Sequence, residues 1–108
     1  LKGEGKPSAE TLLHLMIYRH RQAGSILHTH SVWGTILSDI HFEKGFIEIS
    51  GYEMLKGLSG VKTHEHTERL PIVENSQDYP ALSHVIENVL RDNPDCHGIY
   101  LRRHGLYT

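Results

Sequence analysis

The spacing of apolar residues predicts three helices, and the last of them has the most regular period. Residues 78–94 place apolar side chains at helical spacing, and an Asn-Pro pair stops the helix. Residues 8–24 carry a broader apolar face, with Ser8 as the N-cap and Gly24 as the end of the helix. Both segments therefore predict helices that pack one face against a core.

A third helix is predicted between these two, at residues 31–40. Ser31 is its N-cap, and the apolar residues that follow fall on one stripe. We expect this stripe to face the core, so that Trp33 serves packing rather than ligand binding. The stripe comprises Val32, Trp33, Ile36, Leu37 and Ile40.

The segments between the helices predict short strands. The strand segments are residues 25–30, 45–50, 69–74 and 97–105. Pro71 places the first part of the third strand at a sheet edge or a bulge, because proline cannot donate to the ladder. Residues 50–60 predict a short helix with Met54, Leu55 and Leu58 facing inward, and residues 61–68 a polar loop. The alternation of helices and strands indicates a layered α/β architecture.

Composition narrows the class of protein. The 108 residues suffice for one domain or part of one, and a hydrophobic content of 38% leads us to expect core contributions from further segments or subunits. A net charge of −2 without a basic block argues against nucleic acid or anionic membrane as the main partner. No membrane-spanning apolar run or signal peptide is evident, and Cys96 is the one cysteine. We therefore expect a reducing, cytoplasmic setting.

Ten histidines make metal ligation the first chemistry to consider. His28 and His30 close an apolar strand segment, where residues two apart point to the same face. A catalytic zinc site commonly has three protein ligands and an open position. His104 is the best third candidate, because it ends the last strand segment and Gly105 lets the backbone turn beside it.

The H-x-H spacing alone does not establish a metal site, since a chain rich in histidine produces it by chance. His64 and His66 have the same spacing in a polar segment, and we expect both to be surface loop residues. Without the flanking strand and His104, a ligand role for His28 and His30 would be an even choice. No convergent partner is evident from the sequence for His14, His20, His41, His84 and His97.

The motifs taken together resemble a known family. The helix opening "PSAET", the strand "HTH" and the strand ending "RRHGL" are similar to the class II aldolase superfamily. Within it, "GYEMLKGL" and "THEHTERLPIVENSQD" resemble the methylthioribulose-1-phosphate dehydratase branch. The resemblance implies a three-layer α/β/α sandwich with a mainly antiparallel central sheet, commonly assembled as a homotetramer. Residues 1–108 would be one such domain, lacking the family's N-terminal phosphate-binding loops and C-terminal helix.

The resemblance also implies a reaction and its ligands. The family's zinc ligands fall on His28, His30 and His104, with one Zn²⁺ per subunit. The implied reaction is the dehydration of 5-methylthioribulose 1-phosphate to 2,3-diketo-5-methylthiopentyl 1-phosphate in methionine salvage. A metal at three imidazoles would polarise the substrate carbonyl and stabilise the charge left by a departing C3 proton.

Two glutamates compete for the role of general acid/base. Glu53 matches the position that the dehydratases use, and Glu10 matches the glutamate that related aldolases place near the metal. Local roles are also open: Glu53 stands at capping-box spacing from Ser50, and Glu10 falls in the predicted first helical turn. The resemblance favours Glu53, whose pKa we expect burial near Met54 to raise.

Other candidates near these motifs are less defined. Ser8 and Thr11 could bind phosphate at the helix start, where free amides attract anions, or Ser8 could simply cap the helix. Strand alternation places Arg102 on the side of His104, unless the turn at Gly105 breaks it. Tyr52, Tyr107 and Cys96 receive no role.

Three hypotheses follow from these residues. The first is the zinc-dependent dehydratase, a small-molecule enzyme that binds neither nucleic acid nor membrane. The second is a sugar-phosphate aldolase or epimerase that uses the same metal site, with Glu10 as its acid/base. The third is a non-catalytic interaction protein that keeps the fold.

Overall fold

A computed structural model describes residues 2–108, so that Leu1, the first residue of the predicted domain, lies outside the described residues. The helices are α1 (Thr11–Arg21), α2 (Val32–Ile40) and α3 (Tyr79–Asp92). The strands are β1 (His28–Thr29), β2 (Phe46–Ser50), β3 (Thr67–Val73), β4 (Ile99–Leu101) and β5 (Gly105–Tyr107). Two short 3₁₀ helices, Phe42–Lys44 and Glu53–Gly57, flank β2.

The five strands form one sheet in the order β1-β5-β4-β3-β2. β3 and β4 run parallel, with Ile72 opposite Tyr100, and the other three neighbouring pairs are antiparallel. This confirms the mainly antiparallel sheet that the family resemblance implies. Pro71 faces β2 at a level where β3 has not yet paired with β4, so its missing N–H costs no ladder bond on that side.

The sheet separates two helical layers. On one face, α1 and α3 pack together over a core whose members come from both helices and from β3, β4 and β5. On the other face, α2 contacts β2, β4 and β5, and a smaller apolar cluster surrounds Ile47, Leu70 and Ile72. Alternation along β4 explains the division, since Ile99 and Leu101 enter the first core and Tyr100 the second. The three-layer α/β/α architecture is thereby confirmed.

The most regular predicted helix is confirmed. The side chain of Asp78 accepts a hydrogen bond from the N–H of Ala81, and Leu82, Ile86 and Leu90 are buried along one side of α3. The bounds predicted for α1 are wrong at both ends. Ser8 accepts a hydrogen bond from the N–H of Glu10 in a turn that precedes the helix, and α1 ends before Gln22, which adopts a left-handed conformation with φ of 51°.

The predicted orientation of α2 is wrong, although its position and its cap are correct. Ser31 accepts a hydrogen bond from the N–H of Gly34, as expected of an N-cap. The residues of α2 buried against the sheet are Gly34 and Ser38, whereas Trp33 is 78% exposed. The apolar stripe therefore covers the outer side of the helix, because small residues are what the narrow space against the sheet admits. All five stripe residues are exposed: Val32, Trp33, Ile36, Leu37 and Ile40.

Three smaller segments also differ from their predictions. The 50–60 segment forms a 3₁₀ helix that buries Leu55 but leaves Met54 85% exposed. β3 begins at Thr67, inside the segment predicted as a loop. The last predicted strand is two strands joined by a turn at residues 102–104, because the chain reverses to pair β5 with β4.

Candidate metal centre

Four side chains converge at one end of the sheet. Glu10, His28, His30 and His104 each offer one potential ligand atom, and these atoms all lie within 4.8 Å of one another. The antiparallel pairing of β1 with β5 brings the H-x-H pair beside the β4–β5 turn that carries His104. Glu10, the residue that directly precedes α1, brings its carboxylate to the same place. The structure thus brings together the three histidines singled out by the sequence, together with one of the two glutamates.

The converging atoms are mostly the Nε2 atoms of the three imidazoles. The Nε2 atoms of His28 and His30 are 2.7 Å apart. The carboxylate of Glu10 lies 3.0 Å from Nε2 of His104 through Oε1 and 3.4 Å from Nε2 of His28 through Oε2. Three imidazole nitrogens and one carboxylate oxygen in this arrangement are a donor set that zinc and similar divalent ions accept.

The outer nitrogens of two imidazoles are held by hydrogen bonds. Nδ1 of His28 lies 3.0 Å from the backbone oxygen of Leu106, to which it donates. Nδ1 of His104 lies 3.2 Å from Oδ1 of Asn75. A proton on each Nδ1 leaves the Nε2 lone pair directed at the centre, which is how ligating histidines are commonly oriented.

Burial supports the neutral form of the central imidazole. The His28 side chain is largely covered, and this desolvation lowers its pKa, although the Leu106 carbonyl and the charge of Glu10 act in the opposite direction. A neutral imidazole is the form that ligates metal ions. The residues present therefore fit a divalent metal ion at this centre.

Tyr107 and Gly105 shape the floor of the centre. The Tyr107 ring stacks on the His28 ring with centroids 4.0 Å apart and an interplanar angle of 16°. A Cβ atom at Gly105 would lie 2.9 Å from atoms of both the His28 and His30 rings and would also meet the backbone oxygen of Thr29. The buried Tyr107 hydroxyl lies within the influence of the Glu10 carboxylate but forms no hydrogen bond of normal geometry among residues 2–108. Burial, and then the negative charge of Glu10, raise the pKa of Tyr107.

Glu53 does not join this group. Its side chain is 69% exposed and its carboxylate contacts Lys56 and, at 3.7 Å, Nδ1 of His64. The expected burial near Met54 is therefore wrong, and so is the capping-box alternative, because Ser50 belongs to β2 and the residue that caps the 3₁₀ helix is Tyr52.

Strand directions place Glu53 far from His104 within one chain. Glu53 follows the end of β2, which lies beside the start of β3, whereas His104 follows the end of β4, which lies beside the end of β3. The length of β3 separates these two ends by roughly 20 Å at about 3.3 Å per residue.

The remaining site candidates have other surroundings. Ser8 and Thr11 flank Glu10 at the start of α1. Arg102 does not share the side of His104, because the turn breaks the strand alternation. Its guanidinium binds Asp39 and Glu74, each at 2.8 Å.

Three features were not predicted from the sequence: Asn75, Tyr107 and a second histidine cluster. His66 and His97 both contact the carboxylate of Glu68, so the expectation that His97 lacks a partner is wrong, and His66 is more than a loop residue. The spacing of His66 and Glu68 at the entry to β3 was an available signal, since residues two apart share a face of a strand. Nothing local pointed to His97, 29 residues away.

Comparison with known proteins places these residues in context. The profile of the family described as "Class II Aldolase and Adducin N-terminal domain" matches residues 1–108. The methylthioribulose-1-phosphate dehydratase of Pseudomonas fluorescens (strain Pf0-1) is 49% identical over 104 residues, which cover 95% of this chain and 50% of that protein. The protein of the same name from Sorangium cellulosum (strain So ce56) is 41% identical over 104 residues, covering 95% and 49%. The chain therefore spans about half the length of these curated relatives.

No helix within residues 2–108 has the length and apolar character needed to cross a membrane.

Proposed function

The chain belongs to the class II aldolase and adducin N-terminal domain family, and from this premise we propose that it carries the metal centre of a dehydratase acting on 5-methylthioribulose 1-phosphate. The observation that carries the proposal is the convergence of three imidazoles and one carboxylate, in a chain similar to proteins named for that dehydration. The proposed metal is Zn²⁺, one per subunit, held by His28, His30 and His104. The product is 2,3-diketo-5-methylthiopentyl 1-phosphate, an intermediate in methionine salvage.

A divalent ion bound there would polarise the substrate carbonyl at C2 and stabilise the negative charge that develops when the C3 proton leaves. Glu10 is the carboxylate within reach of that position in the same chain. It takes the proton from C3, while the hydroxyl at C4 gains a proton and leaves as water. The resulting enol rearranges to the diketone, so that the atoms of substrate and products balance.

Glu53 keeps a proposed role as the acid that protonates the leaving hydroxyl, provided that it comes from another copy of the chain. Its side chain is exposed, and it lies at the opposite end of its own sheet from His104. The exposed apolar stripe on α2 supports association between copies, because such a surface is normally covered. The proposed assembly is a homotetramer.

Substrate phosphate would bind near the start of α1. Ser8 and Thr11 lie within two residues of Glu10 on either side, and the first helical amides favour an anion. Further phosphate-binding loops are proposed to lie outside residues 1–108, since the chain corresponds to about half of each relative.

A sugar-phosphate aldolase is the second candidate, and the position of Glu10 favours it. Related aldolases place a glutamate of this kind near the metal, and an aldolase passes through a similar enediolate before breaking the C3–C4 bond. The names of the relatives favour the dehydratase.

The test is a turnover assay of the purified protein with 5-methylthioribulose 1-phosphate. We expect diketone formation that a chelator abolishes and Zn²⁺ restores. Formation of cleavage fragments instead of diketone would favour the aldolase, and no turnover by the metal-loaded full-length protein would overturn the dehydratase proposal.

Complementation between two inactive variants tests whether Glu53 of one copy acts at the metal centre of another. The Glu53→Gln and His104→Ala variants should each be inactive alone and regain turnover when co-expressed, because mixed assemblies contain some centres with both residues intact. Mixed assemblies that form without regaining turnover would remove Glu53 from the reaction.

A further inference from the structure

A second group of potential ligands lies at the other end of the sheet. His66, Glu68 and His97, here called the His66 cluster, bring their ligand atoms within 4.8 Å of one another. Oε2 of Glu68 lies 2.8 Å from Nε2 of His66 and 3.0 Å from Nδ1 of His97. Two imidazole nitrogens and one carboxylate oxygen form a common set of protein ligands for zinc.

The second nitrogen of His97 is fixed from outside the cluster. Nε2 of His97 donates a hydrogen bond of 2.7 Å to the backbone oxygen of Ser59. This bond orients the ring so that Nδ1 points at Glu68. The arrangement matches the candidate metal centre, where a backbone oxygen holds the outer nitrogen of His28.

Access and burial divide the cluster into an outer and an inner part. His66 and His97 line an open cleft of about 1160 Å³ between the 59–66 loop and the segments around residues 23–26 and 94–98. Glu68 lies beneath them and is 3% exposed. An ion can therefore reach the imidazoles from solvent, and a water molecule from the cleft can complete its coordination.

We propose that the His66 cluster binds a second divalent metal ion of the zinc class, separate from the proposed catalytic ion. Residues 58–66 contain no helix or strand, so the ion would attach this loop to the start of β3 and to the segment that enters β4. Its role would be structural, because the cluster and the candidate metal centre lie at opposite ends of the sheet.

The competing account is a hydrogen-bonded charge network without metal. In that network both nitrogens of His97 donate, one to Ser59 and one to Glu68. Burial lowers the pKa of His97, but these two bonds outweigh it and raise the pKa overall. The two accounts differ in the number of ions that the protein holds.

Metal stoichiometry decides between them. The purified protein is stripped with a chelator, loaded with Zn²⁺, desalted and analysed for zinc per chain. We expect two ions per chain in the wild type, one in a His28→Ala/His104→Ala variant and one in a His66→Ala/His97→Ala variant. A His20→Ala/His84→Ala variant, which removes histidines outside both groups, should keep two.

One ion in the wild type and none in the His28→Ala/His104→Ala variant would overturn the second site while leaving the proposed function intact. One ion in the wild type that survives in that variant would instead support the second site and count against the proposed catalytic centre. These two counts require no substitution within the His66 cluster, so they hold even if the His66→Ala/His97→Ala variant fails to fold.

Discussion

The two ends of the sheet carry similar residues in different environments. The side chain of Glu68, at the end where β3 begins, is 4% exposed and accepts hydrogen bonds from two imidazoles and from the backbone N–H of His97. Glu10, at the other end, is 16% exposed in its side chain and faces imidazoles, with no backbone donor to its carboxylate among the described residues. A carboxylate whose oxygens are fully engaged stabilises structure, whereas one with free lone pairs can exchange protons. The partners of the carboxylate, more than the presence of histidine, distinguish the two ends.

The two H-x-H motifs show the same contrast. His28 and His30 adjoin a paired strand, and both rings enter one centre. His64 lies in a turn and His66 directly precedes β3, and their rings separate toward Glu53 and Glu68 respectively. Spacing of two residues places side chains together where the chain continues the extended path of a strand, and the turn at His64 interrupts that path.

The largest expected effect is the loss of the third imidazole. The His104→Ala variant should lower kcat/KM at least about a thousandfold, because a catalytic metal contributes several kcal/mol and each 1.36 kcal/mol is a factor of ten. His84→Ala, on the exposed side of α3, is the matched control and should leave kcat/KM unchanged. A His104→Ala variant that kept a tenth of the wild-type kcat/KM would show that this end of the sheet is not the reaction centre.

Asn75 tests whether the outer hydrogen bonds orient the ligands. Asn75→Ala removes the partner of Nδ1 of His104 and should weaken zinc affinity about 10- to 100-fold. Asn75→Asp keeps an acceptor and should retain most of the affinity. Zinc titration of folded protein measures both, with Gln77→Ala as the control from the same loop. Equal affinities in all three variants would contradict the orienting role.

Glu68 tests the structural end of the comparison. Glu68→Gln removes one charged acceptor from three donors and leaves a buried donor unpaired, which should cost about 1–3 kcal/mol of unfolding free energy. Glu48→Gln, which breaks an exposed pair with Arg69, should cost less than about 1 kcal/mol. Urea denaturation of the chelator-treated, metal-free protein compares the two variants. Equal losses would mean that the environment of Glu68 confers no special stability.

The smallest effect is expected at Tyr107. Tyr107→Phe keeps the stacked ring and removes a buried hydroxyl without a partner, so stability should stay equal or rise slightly. Thermal unfolding measures the change. A clear drop in Tm would show that the hydroxyl is hydrogen-bonded, and the Glu10 carboxylate, whose charge raises the pKa of Tyr107, is the candidate partner.

Local sequence patterns predicted the positions of the helices, but not the tertiary contacts that these helices and strands make. The helical period of α3 and the cap Ser31 of α2 predicted the positions of these two helices, because such signals act within a few residues. The outward stripe of α2 could not be foreseen, since periodicity shows that a helix has an apolar face but not what covers it. Only the strand directions show that Glu10, and not Glu53, lies at the candidate metal centre of its own chain. The contact between Glu68 and His97 depends on the parallel register of β3 and β4, which no local pattern encodes.

Gly105 gives the candidate metal centre a particular mutational sensitivity. Because any Cβ there would collide with the His28 and His30 rings and with the backbone of Thr29, even alanine must displace both imidazoles at once. In a scan of all single substitutions for activity, position 105 should therefore be as intolerant as position 104, although glycine contributes no functional group. Engineering of the centre therefore has to keep glycine at position 105 as strictly as it keeps the histidines.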